Sequence, residues 1–247
     1  MLHLLTALAL TARGVMDPTV RLRNGVEMPL VACGTGGDSS AEAQSGVAVA
    51  LKAGVTHIDT AHDYTCLPGV GAAIAEWLQS HERASLFLTS KVPGCGVPTQ
   101  GLQPPCFDNT FAMATKDIAT LVGGANGQID LLLLHFPPLE GCGGASCTKM
   151  QEQWAALEQL YASKKTRAIG VSNYCETCIK CIEANATVMP MVNQIQVRAR
   201  TVAGCRTLDA QDAHYNSRLT SPPRPPSPCA PRRLSLPCPP HVVRALC

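Results

Sequence analysis

Between Met28 and Ile195 the chain alternates six short apolar runs with helix-like stretches, and no other feature restricts its fold so much. Met28–Cys33, Val55–Asp59, Leu86–Ser90, Ile129–Leu134, Ala168–Val171 and Met191–Ile195 read as strands. Ala41–Ala53, Gly69–Ser80, Asn109–Val122, Thr148–Ser163 and Cys175–Glu183 read as the helices between them. Ser40 suits the N-cap of the first helix and Gly54 its stop, while Arg23-Asn24-Gly25-Val26 marks a hairpin ahead of the first strand. Ile129–Leu134 is apolar at every position but Asp130, as suits a parallel strand covered on both faces. Such alternation builds parallel α/β folds. Polar residues at the strand ends point to a TIM-type (β/α)8 barrel, with its active site at that face. The expected fold is therefore an incomplete barrel of about six of eight strand–helix units. Gly34-Thr35-Gly36-Gly37 lacks the spacing of a Rossmann dinucleotide fingerprint.

Four of those strand ends carry chemistry. Asp59 closes the second strand, Tyr64 follows five residues later, Lys91 follows Leu86–Ser90, and His135 follows Leu134. Free tyrosine has a pKa near about 10, so it is a reluctant acid. A buried ammonium favours the phenolate and lowers that value. Lys91 can play this part, with Asp59 holding it charged and oriented, and His135 can donate a hydrogen bond to a carbonyl oxygen. This is a general-acid arrangement for carbonyl reduction with hydride from a cofactor. Singly, each residue would be an ordinary cap or ion-pair member; the ordered set of four favours function.

Charge divides the chain. Residues 1–196 carry 12 basic and 16 acidic side chains, whereas residues 197–247 carry 8 and 2, all eight being arginine, with 9 of the 19 prolines. The arginines are scattered among prolines, so a nucleic-acid function is not expected; Ser217–Cys247 is expected to lack fixed structure. Met1 to Arg13 holds a short apolar run with no preceding Lys or Arg, read either as a targeting or secretory peptide or as a start upstream of Met16. About ten apolar residues do not span a bilayer, so no membrane partner is expected. Thirteen cysteines, with Cys175-x-x-Cys178-x-x-Cys181 among them, invite a disulfide or iron–sulfur reading. Buried thiols packed as small hydrophobes are the favoured alternative, with no metal and a cytoplasmic, reducing compartment.

The chain resembles the aldo-keto reductases. Leu22-Arg23-Asn24-Gly25-Val26-Glu27-Met28-Pro29, Gly34-Thr35, Gly54-Val55-Thr56-His57-Ile58-Asp59-Thr60-Ala61 and Tyr64 carry the resemblance. So do Thr89-Ser90-Lys91, Asp130 to His135, Ile169 to Tyr174 and Pro190 to Ile195. It implies a catalytic tetrad of Asp59, Tyr64, Lys91 and His135, and an oxidoreductase that reduces a small aldehyde or ketone with NADPH. It also implies that Ser172, Asn173 and Gln194 contact the nicotinamide carboxamide, with Gly34, Thr35 and Asp59 beside the cofactor. The resemblance spans residues 20–196, taken as the barrel domain between residues 1–19 and an unrelated tail, 197–247. After Gln196 it stops. A translated intron or alternative splice end is the expectation there, and with it weak activity or none, a non-catalytic binding role as the alternative, and self-association through exposed sheet edges.

Overall fold

The chain enters the fold through a hairpin. Strands β1 (Thr19–Arg21) and β2 (Glu27–Pro29) pair antiparallel. At their turn Gly25 takes φ +85°, a backbone region open to glycine at little cost, and the Asn24 side chain accepts a 3.2 Å hydrogen bond from the Val26 amide. Asn24 Nδ2 also donates to the Arg167 carbonyl at 2.9 Å, tying the hairpin to the far side of the fold. The computed structural model describes residues 18–96, 102–124, 127–138 and 141–196, with the backbone of Ala245–Leu246. The expectations for residues 1–17 and for most of the tail lie outside them.

Six parallel strands follow in chain order: β3 (Cys33–Gly34), β4 (His57–Asp59), β5 (Phe87–Val92), β6 (Ile129–Leu134), β7 (Thr166–Ser172) and β8 (Asn193–Gln194). Helices α1 (Ser40–Lys52), α2 (Leu67–Trp77), α3 (Cys106–Val122), α4 (Gly144–Ala162) and α5 (Glu176–Glu183) alternate with β3 to β8. This is the open arc of a TIM-type barrel, as the alternation implies. One boundary is corrected: Met28–Cys33 is not a single strand, because Glu27–Pro29 belongs to the hairpin and only Cys33–Gly34 joins the parallel sheet. Ser39, not Ser40, caps α1, its side chain accepting from the Glu42 amide while Glu42 accepts from the Ser39 amide, a reciprocal capping box.

Side chains alternate across each strand, which explains why Leu131–Leu134 of β6 is apolar at every position, while buried Asp130 is paired with Arg83 and Arg167. Leu132 and Leu134 pack outward with the helices, against Ile74, Trp154 and Leu157, in one cluster. Leu131 and Leu133 pack inward with Leu22, Val26 and Met28 of the hairpin, which floors the barrel. α2 approaches its neighbours through glycines: a Cβ on Gly69 would run into the Ser40 backbone, and one on Gly71 into the Thr120 carbonyl.

Two further expectations change. Three disulfides, Cys95–Cys106, Cys142–Cys178 and Cys147–Cys181, replace the buried thiols expected for those cysteines. The last two join the loop and start of α4 to α5 across sequence separations of 36 and 34, a proximity that only the packed barrel creates. A final strand, β9 (Ala245–Leu246), pairs antiparallel with β8, so the expected absence of structure in Ser217–Cys247 fails for these two residues: their backbone groups meet an open strand edge.

Candidate active site

Register sets the site. Gly34 lies opposite Asp59 and Asp59 opposite Thr89, so the β3, β4 and β5 ends rise side by side. A short 3₁₀ turn, His62–Tyr64, then carries Tyr64 back over the strand ends, and its ring lies over Gly36, where a Cβ would come within 3.3 Å.

Lys91 is 1% exposed and Asp59 5%. A buried ammonium requires partners, and Lys91 Nζ has three: an ion pair with Asp59 Oδ1, the Thr60 carbonyl at 3.0 Å and Tyr64 Oη at 3.4 Å. The second Asp59 oxygen accepts from Gln194 Nε2 at 2.7 Å. Burial works against the Lys91 charge, yet Asp59 and Tyr64 outweigh it and hold its pKa above the ordinary value. For Tyr64 burial wins instead and raises the phenol pKa, with Lys91 pulling the other way. The expectation that Lys91 lowers the Tyr64 pKa therefore holds for the sign of Lys91's own effect and fails for the net, because desolvation of the phenolate is the larger influence.

His135 is buried beside them, its ring edge-on to Tyr64 at a centroid distance of 5.4 Å. Its Nδ1 lies 2.7 Å from Asp63 Oδ1. Burial pushes the His135 pKa down, while Asp63 opposes. For Asp63 burial pushes up, but the His135 contact prevails and its pKa is lowered. Asp63 was not among the residues expected from sequence; its position next to Tyr64 is the only signal it offers.

The remaining expected residues gather on the same rim. Ser172 Oγ donates to the Gln194 carbonyl at 2.9 Å, and Asn173 Nδ2 reaches Ser172 Oγ at 3.0 Å and the His135 carbonyl at 2.9 Å. Asn173 takes φ +61°, a left-handed conformation that asparagine tolerates better than most residues. Thr35 Oγ1 lies 3.0 Å from Thr60 Oγ1 and 3.4 Å from the Asp59 carbonyl. All the expected residues thus converge on one end of the sheet. His57 stands apart, buried beneath the site between the Pro29 carbonyl and Thr89 Oγ1.

Comparison with known proteins points to one family. The family model described as "Aldo/keto reductase family" matches residues 32–203. A glyoxal reductase of Bacillus subtilis is 36% identical over 75% of this chain and 60% of its own length. A morphine 6-dehydrogenase of Pseudomonas putida is 30% identical over 73% of this chain and 55% of its own. Among solved structures, a Bombyx mori aldo-keto reductase in complex with NADP superposes with a TM-score of 0.62 at 30% identity, covering 78% of this chain and 64% of that one. The chain thus spans little more than half the length of the curated relatives it matches.

Proposed function

Since the chain belongs to the aldo/keto reductase family, we propose that residues 20–196 form a barrel domain that reduces a small aldehyde or ketone to an alcohol with NADPH. The observation that carries this reading is the approach of Lys91 Nζ to both Tyr64 Oη and Asp59 within a buried strand-end cluster. NADPH, when bound, supplies the hydride.

The rim suits that cofactor. Ser172, Asn173 and Gln194 offer neutral hydroxyl and amide groups suited to a neutral carboxamide, with Asn173 bonded to Ser172 Oγ and Ser172 Oγ to the Gln194 backbone carbonyl. Gln194 also reaches Asp59, so a group held there sits beside the Lys91 pair. Gly34 and Thr35 border Asp59 on the other side.

Tyr64 holds the proton. A phenol is protonated at neutral pH in any case and burial raises the Tyr64 pKa further, so the acid is loaded before turnover. As the substrate oxygen takes the Tyr64 proton, the phenolate left behind lies beside the Lys91 ammonium, which Asp59 and the Thr60 carbonyl hold in place. His135, its ring edge-on to Tyr64, orients the substrate carbonyl beside the acid.

Tyr64→Phe tests the assignment. Turnover with a small oxoaldehyde should fall by a factor on the order of 10²–10⁴, while NADPH binding, followed by nucleotide fluorescence, stays unchanged. Undiminished turnover would remove Tyr64 from the role. Saturable NADPH binding with no carbonyl-dependent oxidation in the unaltered chain would favour a non-catalytic binding protein.

Partners follow from the same features. Among the described residues β3 pairs only with β4, and its outer edge can add a strand from a second copy; light scattering against concentration tests this. No described helix is long and apolar enough to cross a membrane. A cytoplasmic setting suits the reduced chain, whereas its disulfides persist only in oxidising surroundings.

A further inference from the structure

One cluster of reactive groups has no part in the carbonyl-reducing chemistry. Cys178 is 1% exposed and bonded to Cys142, which lies in the loop before α4. Cys175, the N-cap of α5, carries a free thiol, and its Sγ lies 3.5 Å from Cys178 Sγ. The three sulfurs all fall within 4.8 Å of one another. Cys142 and Cys175 are both half-buried. A buried sulfur thus stands between two sulfurs that solvent can reach.

We propose that Cys142, Cys175 and Cys178 form a thiol–disulfide exchange centre, in which Cys178 trades partners between Cys142 and Cys175. The attacking species in such exchange is a thiolate. The Cys175 thiolate attacks Cys178 Sγ, the Cys175–Cys178 bond forms and the Cys142–Cys178 bond breaks. The electron pair leaves on Cys142 Sγ, which takes up the proton that Cys175 gave. One disulfide and one thiol stand on each side, so no oxidant or reductant is consumed. Cys-x-x-Cys at a helix start is a spacing that closes into a disulfide within the helix turn.

The neighbouring Cys147–Cys181 disulfide, with Cα atoms 5.3 Å apart, clamps α4 to α5 and keeps Cys142 near Cys178 while the exchange occurs. The ligand class is a thiol or a disulfide, entering at Cys142 or Cys175 because Cys178 is shielded. A structural zinc site takes four ligands. The trio offers three sulfurs, two already joined to each other, so exchange fits better than metal.

Proteolysis without reduction reads the two states directly. Cleavage after Lys116, Lys149, Arg167, Lys180 and Arg198 separates residues 117–149, holding Cys142 and Cys147, from 168–180, holding Cys175 and Cys178, and from 181–198, holding Cys181. The oxidised full chain is held at mildly alkaline pH, quenched in acid at intervals, alkylated and digested. At first all three peptides should be linked, with the alkyl label on Cys175. With time 168–180 should leave the linked set, lighter by two hydrogens, as the label moves to Cys142. Cys175→Ser should abolish that release completely, and Cys142→Ser should make it complete from the start. The 117–149 to 181–198 link, through Cys147 and Cys181, should survive in every variant and reports that α4 and α5 still pack. A linked set that never changes, with the label fixed on Cys175, would overturn the proposal. So would a chain purified with zinc bound and all three thiols unlinked and protected from alkylation, which would make the trio a metal site.

Discussion

Asp63 Oδ1 lies 2.7 Å from His135 Nδ1, and this contact decides which nitrogen of the ring is left for a ligand. With the Nδ1 proton given to Asp63, Nε2 of the neutral ring has only a lone pair, so His135 can donate to a carbonyl only as the imidazolium. Burial depresses the His135 pKa and Asp63 counteracts it, which makes Asp63 the group that keeps the donor form within reach.

Asp63→Asn should therefore lower the His135 pKa further. Activity that depends on imidazolium is lost as pH rises through that pKa, so the alkaline limb of the kcat/KM profile should move to lower pH by about one unit. NADPH affinity should not change. An alkaline limb that stays in place would show that His135 acts neutral.

Lys91→Met tests the buried ion pair through stability. Removing one partner strands the other charge in the interior, at a cost of about 3–5 kcal/mol. For a domain of this size that lowers Tm by on the order of 10 °C. Asp59→Asn combined with Lys91→Met removes both charges and should recover part of the loss, although neither variant should turn over. If thermal melts show the double variant no better than the single, Asp59 is not stranded by losing Lys91.

Much of this was legible beforehand for a physical reason. Ile129–Leu134, apolar apart from Asp130, is covered on both faces, and its bounds agree with β6. Asp59, Lys91 and His135 announce themselves as polar groups ending apolar runs. What escaped depends on three dimensions. Asp63 looks like any surface carboxylate until the 3₁₀ turn brings it to His135. Cys142 and Cys147 meet Cys178 and Cys181 only when α4 packs on α5. The sign of the Tyr64 shift rests on burial, and spacing along the chain carries no information on burial depth.

His57 should make the fold acid-sensitive. Burial holds its pKa below the ordinary value, against the pull of the Pro29 carbonyl. Below about pH 6.5 the unfolded chain binds a proton there that the folded chain refuses, so stability falls as pH drops. His62, whose pKa the Asp117 contact raises, acts in the opposite sense: its stabilisation is complete at low pH and is lost as pH rises through the folded value. His57→Gln removes the first effect and leaves the second. The fall in Tm between pH 7.5 and 5.5 should shrink in that variant; an unchanged fall would place the acid sensitivity elsewhere.

Gly69→Ala separates local preference from packing, because the two disagree in sign. Alanine is favoured over glycine by about 1 kcal/mol inside a helix, so propensity alone makes the change stabilising. In the fold, however, the new Cβ would run into the Ser40 backbone at the start of α1, which has no flexible tip to swing aside. Forcing a methyl into a close-packed contact costs typically about 1–3 kcal/mol, so α1 and α2 should part and Tm should fall by several degrees. Ala72→Gly, on the exposed side of the same helix, should also destabilise, by about 1 kcal/mol, through propensity alone. Opposite substitutions three residues apart are thus both expected to lower Tm, Gly69→Ala by more. A higher Tm for Gly69→Ala would mean that α1 and α2 do not pack backbone to backbone at this glycine.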